Sequence, residues 1–252
     1  MSLRARWNRF ANRRAGTAAY FTLTSAHYGL ARVLLPTVGQ HASGKILDLG
    51  AGFGTYRPEL ERLGDQYVGI DAQFHGANLD ALADGHQLPF TTGALDTVFC
   101  SQVLEHTPEP WQLLQEAHRV LRVGGVLVAS APHLSYVHAA PHDYYRYTNY
   151  GLTFLLRQAG FEQIEARPAG GFLSLLGSVP STVCLGLLPE RPAALVRSVL
   201  AVNRFASHLI VAIDNAVDRN KVFALNFVVV AVKPNRRAAN SVPDSTRRRG
   251  VP

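Results

Sequence analysis

The run Asp48-Leu49-Gly50-Ala51-Gly52-Phe53-Gly54 sets three glycines at alternate positions behind an acid. Glycine lets the backbone turn sharply and lets a ligand approach with no Cβ in the way, so this run suits a loop that cradles a bound molecule. An ordinary strand-to-helix turn also uses glycine, and here the spacing is informative. In dinucleotide-binding turns the third glycine follows the second by three positions, whereas Gly52 and Gly54 are two apart. Asp71 stands 21 positions after Gly50. In that register a carboxylate at a strand end accepts two hydrogen bonds from a ribose diol. Asp84, in Asp84-Gly85-His86-Gln87-Leu88-Pro89-Phe90, is a third acid, suited to accept from an adenine exocyclic amine.

These residues need a scaffold, and short apolar runs alternating with helical patterns supply one. Residues 45–49, 66–70, 95–100, 125–130 and 161–166 read as strands, and the most apolar run, 222–232, as the last of them. Residues 110–122 place Leu113, Leu114, Ala117, Val120 and Leu121 on one helical face, stopped by Gly124 and Gly125. Asn149 is expected to cap a helix over 150–159, ended by Gly160. Residues 18–38 read as a helix covering the sheet. Strands separated by helices of this length predict a parallel α/β sheet with right-handed crossovers. About fifty residues precede the last strand, far more than a usual connection. This insertion, about 172–220, contains the uncharged stretch 172–188 and then a helix over about 192–218. Leu195, Val199, Val202, Ala206, Leu209, Ile213 and Val217 follow helical spacing there.

Five ordered motifs carry a family resemblance: Asp48 to Gly54; Asp71; Asp84-Gly85 with Leu88-Pro89-Phe90; Ser101-Gln102-Val103-Leu104-Glu105-His106; and Arg119 to Gly125. Together they resemble the methyltransferase type 11 family of class I S-adenosylmethionine (SAM) enzymes over about residues 43–166. The resemblance implies a Rossmann-like seven-stranded, mostly parallel sheet whose last strand is antiparallel, with the helical insertion ahead of it. It implies SAM as cofactor. Asp48, Gly50, Gly52, Gly54, Asp71, Asp84, Gly85 and Ser101 are then the binding residues, with the glycine loop at the methionine part, Asp71 at the ribose and Asp84 at the adenine.

In an open α/β sheet the ligand crevice lies beyond the carboxyl ends of the strands, which makes Ser101–His106 and Pro132-His133 candidates for the acceptor side. His106 is a candidate general base, since imidazole titrates near neutrality. His142 is the alternative. It opens His142-Asp143-Tyr144-Tyr145-Arg146-Tyr147-Thr148, a segment similar to one in type 11 relatives and expected to cover the acceptor. Some methyltransferases of this class bind a divalent metal through Glu-x-x-Glu-His. This chain has Gln102 in place of the first acid, and an amide is a poorer cation ligand, so no metal is expected. The spacing of His133, His138 and His142 is likewise not a regular zinc pattern.

The formal charge of +7 belongs to the ends. Arg4, Arg6, Arg9, Arg13 and Arg14 lie in one and Arg236, Arg237, Arg247, Arg248 and Arg249 in the other; without these ten and Asp244, 15 bases face 17 acids. Nucleic acid is therefore not the expected acceptor. The expected organisation is a basic segment 1–16, a methyltransferase domain 17–234 and a disordered basic tail 235–252. Cys100 and Cys184 sit in apolar runs and read as reduced core thiols of a cytoplasmic protein. No run reaches the roughly 18 apolar residues of a spanning helix; arginine-rich ends beside 172–188 instead suggest peripheral contact with an anionic membrane. Three function classes follow. The leading one is a methyltransferase acting at oxygen on a small-molecule, glycan or lipid-linked acceptor. The others are a SAM-binding module without turnover and an NAD-dependent oxidoreductase.

Overall fold

The protein is described by a computed structural model that covers residues 1–74, 78–189 and 192–235. Among these residues seven strands pair into one sheet: β1 (Gly44–Leu49), β2 (Gly64–Asp71), β3 (Ala81–Leu82), β4 (Leu95–Ser101), β5 (Leu121–Pro132), β6 (Glu162–Ala169) and β7 (Asn226–Val232). Their order is β3-β2-β1-β4-β5-β7-β6, with β7 antiparallel to both neighbours and the other pairings parallel. This is the Rossmann-like α/β sheet that the sequence led us to expect. β1 and β4 are adjacent although β2 and β3 lie between them in sequence, so their outgoing connections diverge and leave a crevice at their carboxyl ends.

Burial explains the strands. Ile46, Leu47 and Leu49 of β1 are buried, as central parallel strands covered on both faces require. Helices α2 (Ser25–His41), α3 (Arg57–Leu63), α4 (Pro110–Val120) and α5 (Asn149–Gln158) cover the sheet. α4 buries Leu113, Leu114, Ala117 and Val120, the face read from periodicity. Several boundaries differ from expectation. Leu121 pairs with Leu95 and opens β5, which ends α4 ahead of its glycines. α2 starts at Ser25, behind a 3-10 turn at Tyr20–Thr22, because Thr24 Oγ1 accepts from His27 N and caps it there. Thr148, not Asn149, caps α5: its extended backbone lets Oγ1 accept from Gly151 N at 3.0 Å. The last strand begins at Asn226, four residues later than read.

The basic N-terminal segment is a helix, α1 (Leu3–Asn12), not a tail. Its Trp7, Phe10 and Ala11 form a satellite core with Leu23 and Leu185. Arg6 donates to the carbonyls of Gly186 and Leu187 at the end of α6 (Phe172–Leu187), satisfying acceptors that a helix C-terminus leaves open. The second arginine cluster and the tail from 236 onward lie outside the described residues. Cys100 is buried as expected, but Cys184 is exposed, because α6 turns that side of itself outward.

The helix α7 (Ala193–Val217) reverses the usual sidedness. Its buried positions are Ser207, Val211 and Asp214. Asp214 accepts from Leu173 N, Ser174 N and Ser174 Oγ, so it caps α6 from outside. Asn203 donates to Leu23 O at 2.8 Å. Much of the apolar stripe read from the sequence faces out, with Val202 and Val217 70% and 74% exposed and Phe205 beside them at 71%, while Val199 packs against the satellite core. By length and composition α7 is sufficient to cross a membrane, contrary to the sequence expectation. Hydrogen bonds from α6 and the 3-10 turn tie its polar side to the domain.

Candidate active site

β1 delivers Asp48, only 2% exposed, to the crevice floor. The Tyr67 hydroxyl, on neighbouring β2, donates to Asp48 Oδ2 at 3.0 Å. Gly69 makes room for that hydroxyl, since a Cβ there would stand 2.6 Å from it. Burial pushes the Asp48 carboxyl up to about 7, against the Tyr67 bond, which favours the ionised form. Beyond Asp48 the loop folds back on β2, with Gly50 N and Ala51 N both donating to Ile70 O at 2.9 Å.

The three loop glycines have positive φ, 78°, 55° and 72° for Gly50, Gly52 and Gly54, but different surroundings. A Cβ on Gly50 would stand 2.3 Å from Val103 Cγ2, and one on Gly54 2.8 Å from Asn78 Cβ. A Cβ on Gly52 would meet nothing within 4 Å. Packing therefore requires the outer two glycines, while Gly52 presents bare backbone to open space. Asp71 sets that surface: Oδ2 accepts Gly52 N and Oδ1 accepts Gln73 N, each at 3.0 Å. This open cradle beside two carboxylates fits a cationic, ribose-bearing cofactor such as SAM. Gly52 would border it and Asp71 would take its diol.

Asp84 is exposed, and its Oδ1 accepts from His86 N at 2.9 Å and pairs with His86 Nδ1 at 2.7 Å. Those bonds hold its carboxyl below the usual range. Gly85 lies against α4, where a Cβ would stand 3.0 Å from Leu113 Cδ1. Ser101 Oγ bonds Ser130 Oγ at 2.8 Å and Tyr56 Oη at 3.5 Å. Gln102, at φ 57°, donates from N to Ser130 O and from Nε2 to Ser130 Oγ. This left-handed step ends β4 and turns Val103 onto Gly50. The 3-10 turn Leu104–His106 follows immediately.

His106 Nδ1 donates to the His142 carbonyl at 2.8 Å, and His106 Nε2 faces His138 Nε2 at 3.1 Å. Burial lowers the His106 imidazole, favouring its neutral form. The two candidate bases thus meet, but unequally: His142 contributes its carbonyl, while its ring bonds Tyr144 Oη at 3.2 Å. His133 stays apart, its ring against Phe227. The Tyr-rich segment is fastened over the turn. Tyr144 N donates to Glu105 O at 2.8 Å, Tyr147 Oη to Leu104 O at 2.8 Å, and Tyr145 Oη to Pro108 O at 2.9 Å.

Sequence reading missed Tyr56, Tyr67, Ser130 and His138 as members of this region. Tyr67 and Ser130 look like ordinary strand residues, and only strand pairing aims them at Asp48 and Ser101. His138 was noticed as one of a histidine group, but its partner lies 32 positions away.

Known proteins resemble parts of this chain. A methyltransferase domain family, type 11, matches residues 47–129. An uncharacterized methyltransferase of Mycobacterium sp. (strain KMS) is 38% identical over 96 residues, covering 34% of this chain and 37% of that protein. One from Mycobacterium leprae (strain TN) is 35% identical over 108 residues, 38% of this chain and 40% of the relative. The chain thus spans well under half the length of these relatives. Among solved structures, phosphoethanolamine N-methyltransferase 2 of Haemonchus contortus, in complex with phosphomonomethylethanolamine and S-adenosylhomocysteine, superposes with TM-score 0.57. It is 16% identical, and the match covers 93% of this chain and 61% of that one, a likeness of fold alone. The matched residues 47–129 hold the glycine loop, Asp71, Asp84 and the turn at His106, and over this stretch the chain is similar to the methyltransferase domain family.

Proposed function

We propose that this protein transfers a methyl group from SAM to an oxygen of a small-molecule, glycan or lipid-linked acceptor. The observation that carries this reading is the contact of Val103 with Gly50. It packs Val103, at the start of the turn that bears Glu105 and His106, against the glycine loop. SAM supplies an activated methyl group on a sulfonium leaving group. The chain's own residues hold the two reactants in line, which contributes up to about 7–11 kcal/mol of barrier reduction. The cluster around His106 takes the acceptor's proton, worth roughly 10²–10⁴-fold for a hydroxyl. Mass spectrometry of pooled polar and lipid extracts incubated with protein and SAM is expected to show one methylated product. SAM binding with no product from any pool would favour a binding module without turnover.

The cofactor assignment has a direct check. Asp71→Ala is expected to weaken SAM binding by about 1–3 kcal/mol, because it removes the diol acceptor and releases Gly52 N. Calorimetry reads this, with NAD as competitor. NAD binding tighter than SAM, or an Asp71→Ala protein that binds SAM like wild type, would overturn it.

The outward apolar stripe of α7 favours a lipid-linked acceptor reached at a membrane surface. Leu176, Val179 and Leu187 of α6 extend the exposed apolar surface, and Arg197 and Arg204 of α7 are exposed. Apolar burial adds to charge attraction of about 1 kcal/mol per base near an anionic surface. Binding should therefore be reversible and salt-sensitive. The protein is expected to float with anionic vesicles at low salt and to leave them at high salt. Val202→Glu with Phe205→Glu should abolish flotation. Deleting residues 1–14 would be a poor test, since it removes the packed helix α1. Intact protein that stays in the soluble fraction under every condition would leave a soluble acceptor as the reading.

A further inference from the structure

We propose that Glu105, His106 and His138 form a binding site for one divalent transition-metal ion of the zinc type. Glu105 is fully buried, and neither of its carboxylate oxygens has a hydrogen-bond partner. Buried polar groups in folded proteins are almost always partnered, and an unpaired buried carboxylate is among the most costly exceptions. The nearby cation does not relieve it. The Arg146 guanidinium is committed to both oxygens of Asp143, at 2.6 and 3.0 Å, and to the carbonyls of Ser135, Tyr136 and Tyr145.

The two histidines point to what Glu105 awaits. His106 Nδ1 donates to the His142 carbonyl, and His138 Nδ1 lies 3.3 Å from the Tyr136 carbonyl and 3.6 Å from Asp143 Oδ2. A ring nitrogen that donates to a carbonyl carries the proton, which leaves its Nε2 as a lone pair. Both Nε2 atoms then face each other bare at 3.1 Å. Two lone pairs at that distance repel unless something positive lies between them. Two nitrogens on one zinc ion, each bonded at about 2.0–2.1 Å with tetrahedral angles, stand about 3.3 Å apart. Glu105 Oε1 is 3.6 Å from His106 Nε2, and the three ligand atoms all lie within 4.8 Å of one another.

The surroundings are those of a built site. Metal-binding imidazoles normally donate their other N–H to a carbonyl or carboxylate, which fixes ring orientation, and both of these rings are so placed. Arg4 donates to the His138 carbonyl, and Asp143 Oδ2 accepts His138 N at 2.7 Å. Tyr144 N donates to Glu105 O. The strap carrying His138 is thus fixed to the turn carrying the other two ligands. Two imidazoles and one carboxylate suit zinc and its transition-metal neighbours, not magnesium or calcium, which take mainly oxygen. Three protein ligands leave a fourth position open. Gln102, whose amide spoils the sequence pattern for a metal, is turned to Ser130 and does not enter the site. The third ligand comes from His138 instead.

The site stands or falls independently of methyl transfer, because binding is measured directly. Tag-free full-length protein, stripped with a chelator, is titrated with zinc by calorimetry. One equivalent should bind, and magnesium should not compete. His138→Ala and Glu105→Gln should each weaken zinc binding by about 10–100-fold, while His208→Ala, outside the cluster, should not. Cobalt in place of zinc should give the d–d absorption of a four-coordinate site, lost in His138→Ala. Circular dichroism verifies that each variant is folded. Glu105→Gln guards against a folding artefact, since it only neutralises an acid that is buried without a partner. Absence of stoichiometric zinc binding, or binding that both variants leave unchanged, would overturn the proposal; the two histidines would then share a proton.

Discussion

Gly52→Val is expected to abolish detectable SAM binding while leaving the protein folded. Its backbone has φ 55°, and a β-branched residue there costs roughly 1–2 kcal/mol. Typical domain stability is about 5–15 kcal/mol, so the fold should survive with a melting temperature only several degrees lower. The Cβ of the new side chain has room, because a Cβ at Gly52 has nothing within 4 Å. The side chain would fill the space beside the backbone that Asp71 holds. Loss of affinity by more than about 100-fold, or more than about 2.7 kcal/mol, is the expected calorimetric result. Gly50→Val gives the contrast. There a Cβ meets Val103 at 2.3 Å, so stability should fall along with binding. SAM affinity within a few-fold of wild type in a folded Gly52→Val protein would remove Gly52 from the cofactor site.

His106→Ala is expected to lower kcat by about 10²–10⁴-fold and to leave SAM affinity near wild type. The imidazole lies in the turn after Val103, where it bonds the His142 carbonyl and faces His138, with no described bond to the glycine loop. Stopped assays with saturating SAM measure kcat, and calorimetry measures cofactor affinity. His142→Ala keeps the carbonyl that orients His106, so an equal fall in that variant would move the proton acceptor to His142. Loss of SAM binding in His106→Ala would mark a cofactor-pocket residue instead. Chelation separates two ways in which His106 can act. If activity disappears with the metal and returns with zinc, His106 acts as a ligand. If activity is indifferent to chelation, the imidazole itself is the base.

The Tyr-rich strap, the scaffold and the outer face of α7 place different demands on the chain. The Tyr-rich strap is pinned to the turn through Tyr144, Tyr145 and Tyr147. Asp214 illustrates the scaffold. It lies on the long apolar helix yet points inward to cap α6, and a Cβ on Gly171 would stand only 2.6 Å from its Oδ2. With Asp214 and Asn203 occupied inward, α7 presents Val202, Phe205, Leu209, Ile213 and Val217 outward beside exposed Arg197 and Arg204. This explains how a helix that reads as amphipathic becomes an exposed apolar surface.

The sequence by itself determined what near neighbours decide. Alternating glycines after an apolar run mark a tight turn, and Asp71 falls at the end of the next strand because strand and helix lengths set that register. The α4 face is legible for the same reason: Leu113, Leu114, Ala117 and Val120 recur at helical spacing and are all buried. Tertiary structure decided whatever depends on which element packs beside which. Glycine identity at positions 50, 52 and 54 is uniform in sequence, yet only packing against Val103 and Asn78 separates the two structural glycines from the open one. The face α7 buries follows from partners on α6 and the turn before α2, not from its own hydrophobic period. The meeting of Glu105 and His106 with His138 joins a strand end to a strap 32 positions later. Local periodicity carries no information on that contact, because the sheet order and the anchored strap create it.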